Sequence, residues 1–121
     1  MRAFLRSFVY AAQGVAYVWR TQRNLRVHVL ITALVIAGGL YFRLTSTEWA
    51  VVAVTIGLVI SVEMVNTVAE MSVDLLTQRY NPMAKAAKDV GAGAVLVAAL
   101  AAVGVGAAIF GPRLWALLSR P

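Results

Sequence analysis

Glu63, Asn66, Glu70 and Asp74 recur at spacings of three and four residues inside an otherwise apolar stretch. At about 100° per helical residue they fall at about 0°, 300°, 340° and 20°, so one helix would carry them as a single polar stripe roughly 80° wide. Met64, Val65, Val68, Ala69, Met71, Val73 and Leu75 cover the remaining surface with apolar groups. The stripe offers only oxygen donors. That set suits a hard cation such as Mg²⁺, which takes one or two carboxylates, keeps waters and bridges to substrate phosphates. Crowded carboxylates also make one of them usable as a proton acceptor. The other reading of the stripe is an interhelical polar face whose carboxylates pair with Arg79, Lys85 or Lys88, since buried charges are usually paired.

Lys85 and Lys88 follow at i, i+3 spacing, with Asp89, Gly91 and Gly93 close behind. Lysine beside a carboxylate-held metal is what a polyphosphate requires, although basic residues here also serve membrane topology. The chain has no G-x-x-x-x-G-K-[ST] sequence, and the G-x-G at Gly91 has no preceding strand, which excludes a P-loop nucleotide domain. His28 is the sole histidine and opens an apolar run, so a Ser-His-Asp hydrolase is unsupported and His28 reads as a polar anchor at the membrane interface. With no cysteine there is no disulfide, no thiolate nucleophile and no sulfur-ligated metal.

Hydrophobic residues make up 61% of the 121-residue chain and charged ones 13%, a surplus of apolar surface that only lipid can absorb. Three apolar runs, Val27 to Phe42, Trp49 to Val62 and Val90 to Phe110, each mark a membrane helix. Thr45 and Glu48 have the spacing of a capping box at the start of the second. That helix continues past its apolar run, because nothing between Ser61 and Gln78 breaks it before Asn81-Pro82. Glu63 lies about 22 Å along the helix from Glu48, at the inner edge of the ~30 Å hydrocarbon layer.

Arg2, Arg6, Arg20, Arg23, Arg26, Arg79, Lys85 and Lys88 fall on one side of these spans, and Arg43, Arg113 and Arg120 on the other. The positive-inside rule then places the N-terminus and the acidic stripe in the cytoplasm and the C-terminus outside. Basic residues this scattered, without interleaved stacking aromatics, do not make a nucleic-acid surface. Phe4, Phe8, Ala11, Val15 and Val18 or Trp19 recur at helical spacing before the first span, which reads as an amphipathic helix lying on the membrane and not as a cleaved leader. The expected fold is all-α integral membrane, three transmembrane helices plus this N-terminal amphipathic surface helix, in one domain over residues 1–121. The surface helix spans about 3–22, and the membrane spans cover about 26–43, 47–67 with a cytoplasmic extension to 78, and 87–110. The glycines and alanines of the last span allow close packing, which either a homo-oligomer or packing within one chain explains.

The segments Glu63-Met64-Val65-Asn66-Thr67-Val68-Ala69-Glu70-Met71-Ser72-Val73-Asp74 and Ala84-Lys85-Ala86-Ala87-Lys88-Asp89 together resemble the signature of the prokaryotic diacylglycerol kinase and undecaprenol kinase family. The resemblance runs from about Phe8 to Ile109. It implies a homotrimeric kinase of the bacterial inner membrane that uses Mg²⁺ and ATP to phosphorylate a membrane lipid hydroxyl. By matching position it implies Glu63 as general base and Glu70 as metal ligand. Asn66 and Asp74 would support the site, Lys88 would contact phosphate, and Asp89 would be a polar partner near the nucleotide.

Gln22 departs from the family, which commonly places a metal-binding glutamate there; a glutamine offers a carbonyl oxygen without charge, implying weaker or altered metal binding. The segments Arg23-Asn24-Leu25-Arg26-Val27-His28 and Asn81-Pro82-Met83-Ala84-Lys85 resemble the undecaprenol kinase branch more than the other. Undecaprenol is therefore the expected acceptor and diacylglycerol the alternative. Outside the family, the competing reading is a small oligomeric ion or proton transporter subunit built around Glu63. It does not explain why the acids continue about 16 Å along the helix to meet a Lys-Asp segment.

Overall fold

The computed structural model describes residues 1–119; Arg120, one of the three basic residues assigned to the outer side, lies outside the described residues. Four helices follow one another: α1 (Arg2–Thr21), α2 (Arg23–Tyr41), α3 (Ser46–Leu76) and α4 (Pro82–Leu118). The last three are long and apolar enough to cross a membrane. At 1.5 Å per residue α3 and α4 reach about 46 and 55 Å, well beyond the ~30 Å hydrocarbon layer, so each projects into water.

Each break has a local cause. Gln22 adopts an extended conformation between α1 and α2, and its N–H caps the Val18 carbonyl of α1. Arg43 takes a positive φ of 51° after α2. There its N–H meets the Leu40 carbonyl at 3.3 Å and the Leu44 N–H meets that of Gly39 at 3.0 Å, the paired bonds of a Schellman end. Leu44 then folds back, buried, onto Gly39, where an added Cβ would also lie 2.7 Å from Trp49 Cη2. Helix α3 opens with the full capping box: Thr45 Oγ1 accepts from the Glu48 N–H, and Glu48 Oε2 accepts from the Thr45 N–H at 2.8 Å.

Helix α3 stops at Leu76, short of the residue 78 expected from its pattern. Thr77 turns extended, and its hydroxyl donates to the Arg79 carbonyl and accepts from the Arg79 N–H, offering the backbone an alternative to another helical turn. Asn81 starts α4, its Oδ1 accepting from the N–H groups of Met83 and Ala84, with Pro82 in the first turn where no donor is needed.

The principal packing is α3 against α4; α2 packs on α3, and α1 touches both α2 and α3. At one end Arg113 Nη2 pairs with Glu48 Oε1 at 2.8 Å, tying α4 to the cap of α3. Toward the other end Val18 of α1 and Leu25 of α2 are buried at the corner that rests on α3. The first-helix residues Phe4, Phe8, Val15 and Trp19 stay exposed, with the Phe4 and Phe8 rings edge to face.

Candidate active site

Glu63, Asn66 and Thr67 are the buried polar residues among those described, and Glu63 is only 2% exposed. A long charged side chain reaches that state only where neighbouring helices enclose it. Thr67 lies about 40° from Glu63 around the helix, within the polar face, although the sequence pattern of acids and amide does not include it. The structure shows it donating to the Glu63 carbonyl at 3.0 Å.

Asn66 bonds to the second glutamate of the stripe. Its Nδ2 donates to Glu70 Oε1 at 3.0 Å, and its Oδ1 turns the other way, toward α4. A Cβ on Gly91 would overlap that oxygen, so the missing side chain is what admits it. The sequence marks Gly91 as a packing glycine and as part of the pair after Asp89, but no single-chain pattern reveals which glycine faces which polar group.

Glu63 Oε2 and Asn66 Oδ1 are both buried without a hydrogen-bond partner among the described residues. Such groups cost about 1–3 kcal/mol each and call for an explanation such as a reacting proton or a bound ion. Glu70, farther along the same face of α3, and His28 of α2 are both within electrostatic reach of Glu63.

Farther along the stripe the expected cations do meet carboxylates, but not the glutamates. Lys88 Nζ lies 2.5 Å from Asp74 Oδ1, and Lys85 Nζ lies 2.5 Å from Asp89 Oδ2. Both pairs are well exposed, where an ion pair is worth about 0–1 kcal/mol, so either lysine can exchange its carboxylate for a stronger anion at little cost. They rim a hollow of about 570 Å³ between the end of α3 and the start of α4, lined also by Arg79 and Tyr80. The Gln22 side chain, at the α1–α2 break, forms no hydrogen bond to the stripe among the described residues.

A buried carboxylate with an unpartnered oxygen, an amide bonded to the next carboxylate on the same face, and a cationic hollow where α3 meets α4 belong to a small helical membrane enzyme. The chain belongs to the prokaryotic diacylglycerol kinase family, whose model matches residues 9–110. It is a membrane lipid kinase.

An undecaprenol kinase of Bacillus subtilis is 40% identical over 114 residues, covering 94% of this chain and 93% of that protein. A diacylglycerol kinase of Synechocystis is 45% identical over 113 residues, covering 93% of this chain but 65% of that longer protein. A diacylglycerol kinase of Helicobacter pylori is 24% identical over 96 residues.

Proposed function

We propose that this chain transfers the γ-phosphate of ATP to the hydroxyl of undecaprenol, with Glu63 as the base. The observation that carries the reading is Glu63 Oε2, buried without a partner among the described residues, on the same face of α3 as Glu70 and as Asp74, which lines the cationic hollow. The relative matched over nearly its whole length is an undecaprenol kinase, which favours that acceptor. Diacylglycerol is the second reading, on the strength of the more identical cyanobacterial relative.

Phosphoryl transfer asks a protein mainly for positioning and charge neutralisation. The triphosphate enters the hollow, where Lys88 leaves Asp74 for phosphate oxygen while Lys85 and Asp89 frame the nucleotide. The acceptor hydroxyl reaches Glu63 from the lipid side. Its oxygen bonds to the γ-phosphorus as its proton passes to Glu63 Oε2, and the bond to the β-phosphate oxygen breaks to release ADP.

The donors also fit Mg²⁺. The Glu70 carboxylate, oriented by Asn66 Nδ2, would be the principal protein ligand and Gln22 would add a carbonyl, with water and phosphate completing the shell Mg²⁺ prefers. When bound, the ion would neutralise charge developing on the transferred phosphate.

This reading sets the enzyme in the bacterial inner membrane as a homotrimer, α1 lying on the cytoplasmic face and the C-terminus outside. The eight-to-three division of basic residues supports that orientation, and the exposed aromatic face of α1 supports its surface position. The test is phosphorylation of undecaprenol or dioleoylglycerol by purified protein in mixed micelles with ATP and Mg²⁺. Transfer to undecaprenol is expected, and a folded sample that modifies neither lipid refutes the kinase mechanism. Glu63→Gln should lower kcat by about 10²–10⁴-fold, the usual contribution of a general base, while ATP still binds.

A further inference from the structure

Helices α2 and α4 both pack on α3 and meet each other through Phe110 at one end, which leaves a groove with α3 as its floor. The cavity, about 270 Å³, is lined almost entirely by apolar side chains, among them Val52, Val59, Ala99 and Ala102. Its outer end is shut by Phe110, which lies against Gly38 and holds its ring 6.2 Å from that of Phe42. Its rims, Ile31 of α2 and Val103 of α4, are exposed, so it opens sideways on the apolar surface of the chain.

The inner end is different in kind. His28 lines it, half-buried, and forms no hydrogen bond among the described residues. The same imidazole acts electrostatically on Glu63, whose Oε2 is unpaired. Of the two threonines in the lining, Thr55 already donates to the Val51 carbonyl at 2.8 Å, while Thr32, one turn along α2 from His28, forms no hydrogen bond among the described residues. From His28 to the level of Gly38 is ten residues of helix, about 15 Å, or half the hydrocarbon thickness.

We propose that His28 positions the acceptor: the groove holds one hydrocarbon chain of the lipid alcohol, and the imidazole N–H binds the hydroxyl oxygen while the hydroxyl proton faces Glu63 Oε2. The volume fits the hydroxyl-proximal stretch of a single chain, being small beside the ~300–1,000 Å³ of pockets that engulf a whole ligand. A single-chain polyprenyl alcohol therefore fits the groove better than a two-chain glyceride. This inference rests on Glu63 receiving a lipid hydroxyl, as proposed above, and gives His28 a role beyond that of an interfacial anchor.

The experiment uses the full chain in micelles and reads equilibrium binding of farnesol without ATP alongside steady-state turnover. His28→Ala should weaken farnesol binding and raise the acceptor KM about fivefold, as loss of one neutral hydrogen bond does, with the KM for ATP unchanged. His28→Gln, which keeps an N–H donor, should restore most of the loss. Ala102→Phe, filling the groove away from His28, should weaken farnesol without altering ATP use, and it still decides the question if His28→Ala does not fold.

Unchanged farnesol affinity in a folded His28→Ala or in Ala102→Phe overturns the proposal, as does an equal rise in both KM values. The two readings fail separately. A wild-type protein that binds farnesol through His28 yet phosphorylates no lipid sinks the kinase mechanism alone, whereas turnover without farnesol binding sinks the groove alone.

Discussion

Gly91→Ala introduces a single methyl group where Asn66 Oδ1 already sits. Two terms of opposite sign decide the outcome. Replacing glycine by alanine inside a helix is worth about 1 kcal/mol in favour of α4. Against it stands overpacking of a close helix contact, about 1–3 kcal/mol. If Asn66 swings away to relieve the overlap, it loses its hydrogen bond to Glu70 Oε1, and bonds to charged groups contribute about 1.5–3 kcal/mol. Glu70 is then no longer held in place, and kcat/KM should fall by about 10–100-fold if that positioning is felt in the transition state.

Gly93→Ala is the matched comparison, since an added Cβ there meets nothing within 4 Å. It should leave turnover near wild type and raise the melting temperature. The assays are lipid phosphorylation in mixed micelles and thermal unfolding in the same detergent. Adding Asn66→Ala to Gly91→Ala should recover stability without recovering activity, a non-additivity that isolates the contact. A Gly91→Ala protein as active as wild type and as stabilised as Gly93→Ala would refute the placement of Asn66 against α4.

Lys88→Ala should raise the KM for ATP about tenfold with little effect on stability, because its exposed bond to Asp74 contributes at most about 1 kcal/mol; a KM change confined to the lipid would move Lys88 out of the nucleotide site. Gln22→Glu should lower the Mg²⁺ concentration for half-maximal activity, and an unchanged metal titration removes Gln22 from the site. Arg43→Gly should raise the melting temperature, since the left-handed φ costs a non-glycine residue about 1–2 kcal/mol, partly offset by glycine's greater freedom when unfolded. A lower melting temperature would show that the Arg43 side chain stabilises the turn more than its backbone strains it.

Much of the architecture was legible in the chain because it depends on near neighbours. Three apolar stretches name three membrane helices, since a backbone in lipid must satisfy its own hydrogen bonds. The Thr45–Glu48 box is likewise local, and the structure forms it, while Asn81-Pro82, legible as the break after α3, also caps α4, which starts at Pro82 and not near residue 87. The helical period also set Glu63, Asn66, Glu70 and Asp74 on one face before any fold was considered. The Thr77 turn was overlooked, because a competing side-chain bond over two residues leaves no mark on hydrophobic periodicity.

Only the tertiary structure decided what that face meets. Lysines three residues apart choose different acids, Lys88 crossing to Asp74 on α3 and Lys85 staying with Asp89 on its own helix. Asn66 turns toward Gly91, and His28, a membrane anchor by sequence, lies at the end of a groove and within the field of Glu63. The physical reason is that periodicity gives angles within one helix but not the rotation of one helix about another. That rotation follows from the packing of α2, α3 and α4 as a whole, and it separates the paired acids from Glu63, whose Oε2 is buried without a partner among the described residues.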